Sequence, residues 1–149
     1  MAKEMRSGYT TGACAAAGTK AALLFLDGEY CEKVTIMALD GTPLHIPIQE
    51  VIRTSSGARA EVVKFSGDDP DITNGVSVFT EVVVRPEGSG VHFHAGRGIG
   101  TVTKPGLSVP PGEPSINPGP RQLIRNVIEE ILGKDGSADV TISIPAGEE

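Results

Sequence analysis

Three carboxylates crowd into four residues of the stretch KFSGDDPDITNG, where Asp68, Asp69 and Asp71 gather around Pro70. Carboxylates this close repel one another and perturb each other's titration, which suits a site that moves a proton or orients cationic groups. Two other chemistries are open to them: a hard-cation site, and a turn whose carboxylates cap its own amides. The remaining ligands of the calcium-loop pattern, including its terminal Glu, are missing. A second chemical stretch is GYTTGACAAAGTKAA, in which Thr10, Thr11 and Gly12 stand before an alanine-dense run. Hydroxyls and unpaired amides at the positive end of a helix dipole form a generic anion site, and helix capping accounts for the threonines equally well. The third runs from Gly96 to Arg121, dense in Gly and Pro, with Arg97, Lys104 and Arg121 against Glu113. Such composition describes a shaped, semi-rigid loop, anchored by Ile99, Val102, Leu107, Val109 and Ile116 and suited to face a ligand or to pack as an Ω-like loop.

Two motifs carry less. His92 and His94 have strand spacing and share one face, so a two-histidine metal pair is conceivable, but no third ligand stands at a telling spacing and a polar sheet face is the expectation. The glycines of GRGIGTV lack the later glycine and the helix that a dinucleotide fingerprint requires.

Charge separates the segments further. The 149 residues carry net −6, which argues against a general nucleic-acid binder. Residues 1–26 are nevertheless net +2 and residues 91–126 net +3. The two Gly-rich stretches are thus the two positive ones, as expected if they face an anionic small molecule. No long apolar run and no signal-peptide core is visible, so a cytoplasmic protein without a membrane partner is expected. Cys14 and Cys31 are expected to be thiols.

The elements that position these residues follow from periodicity. Residues 8–28 read as one helix, capped by Thr10 or Thr11 and stopped by Gly28, with Cys14, Gly18, Ala21 and Phe25 on a face that admits close backbone approach. Lys20 reads as part of a solvated face. KVTIMAL, LHIPIQEVIR, ARAEVVKF and VSVFTEVVV are β-branched runs bounded by turn residues, with hairpin tips at Asp40-Gly41 and Ser56-Gly57. Asn117 caps a second helix with Pro118 and Pro120 in its first turn. Its apolar stripe is Leu123, Ile124, Val127, Ile128, Ile131 and Leu132, its end is Gly133, and Arg125 and Glu129 form an i,i+4 pair. A last strand, ADVTISIP, alternates. The expected fold is one α+β domain over 1–149, a mostly antiparallel or mixed sheet with two helices on one face.

GYTTGACAAAGTKAA, KFSGDDPDITNG, GIGTVTKPGL and GEPSINPGPR, in this order, resemble the N-terminal half of the cobalt-precorrin-5B C1-methyltransferases, the cobalamin-biosynthesis family CbiD. The resemblance runs over nearly the whole chain. It implies methyl transfer from S-adenosylmethionine to ring carbon C1 of a cobalt-carrying tetrapyrrole, in the anaerobic route to vitamin B12. By this resemblance Thr10, Thr11 and Gly12 would meet an acidic group, and Lys104, Asn117 and Arg121 would hold substrate carboxylates. Asp68, Asp69 and Asp71 would orient those bases or act on a ring proton. Cobalt would arrive with the substrate, so no protein metal site is expected. Ala13 replaces a usual threonine and Asn74 a frequent histidine. Family members run to about twice this length, so a shortened form or one piece of a split gene is expected, with the cofactor bound mainly by the absent C-terminal α/β half and this part inactive alone. Pairing with that half, or a homo-oligomer, is the expected assembly. A noncatalytic tetrapyrrole-binding or assembly module is the alternative.

Overall fold

The computed structural model describes residues 10–64, 76–96 and 118–144. In chain order these form α1 (Thr11–Leu26), β1 (Lys33–Met37), β2 (Pro43–Pro47), β3 (Glu50–Arg53), β4 (Ala58–Val63), β5 (Ser77–Arg85), β6 (Val91–Ala95), α2 (Pro118–Leu132) and β7 (Ser137–Ser143). Five strands make one sheet in the order β3-β4-β5-β7-β6, while β1 and β2 form a separate two-stranded ribbon. All neighbours in the large sheet are antiparallel except β6 and β7, which run parallel. A parallel pair requires a crossover, and here the chain from β6 returns to β7 through α2. The α+β expectation holds, with a mixed sheet.

One sheet face is sealed by both helices. Ala58, Ala60, Val62, Val78, Thr80, Val82, Phe93, Ala138, Val140 and Ile142 all point to it and are buried, alternating with more exposed residues. α1 is enclosed on every side: Gly12 to Thr19 and Ala21 to Leu23 are all buried. Small side chains permit this, because a Cβ on Gly18 would stand 2.9 Å from Thr80 Oγ1. Thr80 Oγ1 donates in turn to the Ala15 carbonyl oxygen at 3.5 Å, and Thr19 Oγ1 to the same oxygen at 2.9 Å. By contrast α2 is amphipathic, and Leu123, Ile124, Val127 and Ile128 form its buried stripe. Both helices stop where the chain takes positive φ at glycine, +94° at Gly28 and +95° at Gly133.

The stretch LHIPIQEVIR, expected as one strand, is two. Pro47 ends β2, after which Ile48 N donates to Glu32 O and Gln49 N to Glu61 O, each at 2.8 Å. Successive amides therefore change partner from ribbon to sheet, and the strand breaks between them. Both expected hairpin tips are present: Asp40-Gly41 joins β1 to β2, and Ser56-Gly57 joins β3 to β4. At the first, Asp40 Oδ1 accepts from Thr42 N at 3.0 Å.

Cys14 and Cys31 are both free thiols. Burial pushes the Cys14 thiol from its ordinary 9.0 up to about 11, against a smaller opposing pull from Lys64. Ionisation is thus harder in the folded chain than in the unfolded one. The stability tied to the neutral thiol is complete below pH 9 and is lost as pH rises toward 11. Urea titrations across pH 8 to 11 should show wild-type stability falling in that window more steeply than that of Cys14→Ala.

Candidate functional site

The two helices run side by side in the same direction. Near their starts Gly12 lies against Pro120, where an added Cβ would sit 2.6 Å from Pro120 Cγ. Two to three turns on, Lys20 Nζ donates to Glu130 Oε2 at 2.9 Å and to the Thr35 carbonyl at 2.7 Å. Lys20 therefore ties α1, α2 and β1 together, with its own side chain only 15% exposed. It is a structural cation, and the solvated face read from the sequence is corrected. Its solitary place in an alanine-dense buried helix was the available signal.

With parallel axes, the positive dipole ends of both helices meet on one rim. Thr10 is the N-cap of α1, and its Oγ1 accepts from Ala13 N at 3.0 Å while its carbonyl accepts from Cys14 N at 3.0 Å. Among the described residues, no group accepts from the amides of Thr11 and Gly12, the other two at this end. In α2 the first turn carries Pro118 and Pro120, which have no N–H to offer. Gly12 has a packing reason of its own, since only glycine lets the two helix starts touch. Thr11 is half-buried and Thr10 exposed.

Strand ends gather at the same rim. β4 finishes here, with Lys64 N donating to Val76 O at 2.8 Å just ahead of β5. β6 finishes at Gly96, whose N donates to Ile142 O at 2.8 Å. A Cβ on Gly96 would fall 1.9 Å from Ser143 Oγ, so glycine is required for β6 to leave beside the end of β7. Asp68, Asp69, Asp71, Lys104 and Asn117 lie outside the described residues, as do the expected loop anchors.

Arg121, in the first turn of α2, holds its guanidinium 5.2 Å from the centroid of Phe93. Arg125, one turn later, stands 5.1 Å from the same ring. Expected as the partner of Glu129, Arg125 is seated on an aromatic face. Leu39, 58% exposed at the ribbon tip, comes close to the α2 start, 3.6 Å from where a Cβ of Gly119 would be. The rim thus combines amides with no acceptor among the described residues, two helix dipoles, a guanidinium and an apolar side chain. Such a set suits an anion attached to an apolar body. His92 and His94 lie on the opposite face of the sheet, and no cluster of metal-ligating groups occurs among the described residues.

The CbiD family model matches residues 1–149. The chain belongs to the CbiD family. It is 46% identical over 146 residues to the cobalt-precorrin-5B C(1)-methyltransferase of Syntrophotalea carbinolica, covering 97% of this chain and 41% of the relative. The enzyme of the same name from Methanocaldococcus jannaschii is 46% identical over 148 residues, covering 99% and 41%. The crystal structure of the cobalamin biosynthesis protein (cbiD) from Archaeoglobus fulgidus superposes with a TM-score of 0.65 at 28% identity, over 93% of this chain and 44% of that one. The chain therefore spans about two fifths of the length of these relatives.

Gly12→Ala should force Pro120 away and lower stability by about 1 to 3 kcal/mol, seen as a reduced urea midpoint at unchanged slope. The rim amides of Thr11 and Arg121 should shift in amide NMR spectra of the same variant, and those of Gly28 and Gly133 at the far ends of the helices should stay in place.

Proposed function

We propose that this chain is the substrate-binding part of a cobalt-precorrin-5B C1-methyltransferase, a domain that grips the carboxylates of a cobalt tetrapyrrole at the rim where both helices start. The carrying observation is the convergence of two helix N-termini and Arg121 on one rim, in a family whose named relatives methylate a cobalt-precorrin. A precorrin is an apolar macrocycle fringed with carboxylates, and the amides of Thr11 and Gly12, with no acceptor among the described residues, can donate to one of them. Lys104 and Asn117 are assigned further carboxylates. Asp68, Asp69 and Asp71 are assigned the orientation of those bases or the removal of a ring proton. A carboxylate held beside a polyanion has a raised pKa, which suits acid and base work.

What this chain's residues would contribute to methyl transfer at ring C1 is positioning and electrostatics. S-adenosylmethionine supplies the methyl group when bound. Among the described residues this cofactor finds a match only for its carboxylate. Its sulfonium and ammonium are cations, whereas the rim offers amide donors, helix dipoles and arginine. We assign the cofactor to the remaining part of the enzyme, and with it the completed active site. No helix among the described residues is long and apolar enough to cross a membrane.

Absorbance titration of this chain with a cobalt corrinoid polycarboxylate tests the assignment. Arg121→Ala and Lys104→Ala should each weaken binding by about 1.5 to 3 kcal/mol, the value of a lost charge-assisted contact. S-adenosylmethionine should bind far more weakly to this chain than the corrinoid does.

A further inference from the structure

Arg125 was not singled out as a site residue by its sequence position, yet its placement is unusual. It shares one aromatic ring with Arg121, the two guanidiniums lying 5.1 and 5.2 Å from the Phe93 centroid. Phe93 is itself 8% exposed, wedged between α2 and the sheet as the inward residue of β6, so the ring is a fixed platform. Like charges at i and i+4 on a helix repel, and stacking on a ring face offsets that only modestly. Arg125 has no ion-pair partner among the described residues, while Lys20 and Arg85 are paired with Glu130 and Asp139. Two cations are thus held side by side on a rigid aromatic support, and Arg125 is exposed with no carboxylate among the described residues to neutralise it.

We propose that Arg121 and Arg125 form a two-point carboxylate clamp, in which Phe93 is the positioning residue and Arg125 takes a second peripheral carboxylate of the tetrapyrrole substrate. The inference rests on the substrate reading above and extends it from the rim along the flank of α2. A planar guanidinium stacked on a ring still presents its edge N–H groups, so Arg125 can donate two parallel hydrogen bonds to one carboxylate. A bound carboxylate also answers the charge of Arg125 beside its like-charged neighbour. Selectivity for substrates whose neighbouring side chains are both free acids follows, because an amide at either position cannot neutralise the charge.

Binding of cobyrinic acid, which carries free carboxylates, and of cobinamide, in which they are amides, is measured by absorbance titration on the full chain and its variants. Arg125→Gln should weaken cobyrinic acid about ten- to hundredfold, with cobinamide changed less than about twofold and the urea midpoint unmoved. It should also flatten the salt dependence of cobyrinic acid binding, and Arg125→Lys should restore only part of the affinity. Phe93→Leu keeps both charges and removes the platform, and should lower cobyrinic acid affinity without abolishing its salt dependence. Wild-type binding of cobyrinic acid with Arg125→Gln unchanged overturns the clamp and leaves the substrate reading standing. Wild-type failure to bind either corrinoid overturns both.

Discussion

α1 has almost no room for side chains, and the rest of the fold follows from that. Its Gly12 abuts Pro120, its Gly18 abuts Thr80, and the alanines between them are buried. A helix this thin lets its neighbours come close on every side, so the sheet, α2 and the ribbon all pack against one central rod. Larger residues would push these elements apart and open the core. Dispersion and burial then come from the surroundings, from Val62, Val78, Val82, Ile124 and Ile128, more than from the helix itself.

The same closeness fixes the direction of the helices. Contacts at Gly12 with Pro120 and at Lys20 with Glu130 align α1 and α2 in parallel, bringing two positive dipole ends together. Parallel helices repel at both ends unless counter-charges or ligands answer them. At the far end the chain closes over with glycine turns at Gly28 and Gly133. At the near end the amides of Thr11 and Gly12 meet no acceptor among the described residues, and β4, β6 and β7 all finish nearby. In a parallel β-α-β unit the region beyond the strand C-terminal ends is the usual place for a ligand, and the segment after β6 leaves from there.

Much of this was legible in the residues. The cap at Thr10, both glycine stops, the hairpin at Asp40-Gly41 and the stripe of α2 are local signals, and each appears where its chemistry puts it. What escaped was set by tertiary contact. The break after Pro47 depends on Glu32 and Glu61 claiming successive amides, which no window of sequence displays. Lys20 looked solvated because its partners, Thr35 and Glu130, are distant in the chain. At the site, Thr10, Thr11, Gly12 and Arg121 gather on one rim, and Gly12 owes its place to helix packing. Arg125 was overlooked because its ring partner sits on a strand 32 residues away.

Paramagnetic broadening of backbone amide signals by a bound cobalt(II) corrinoid polycarboxylate tests the rim most directly. Broadening should concentrate on Thr11, Gly12, Gly96 and Arg121 and leave Gly28, Gly88 and Gly133 sharp. Broadening centred on the far glycines, or spread evenly over the chain, would contradict a substrate site at the shared helix starts.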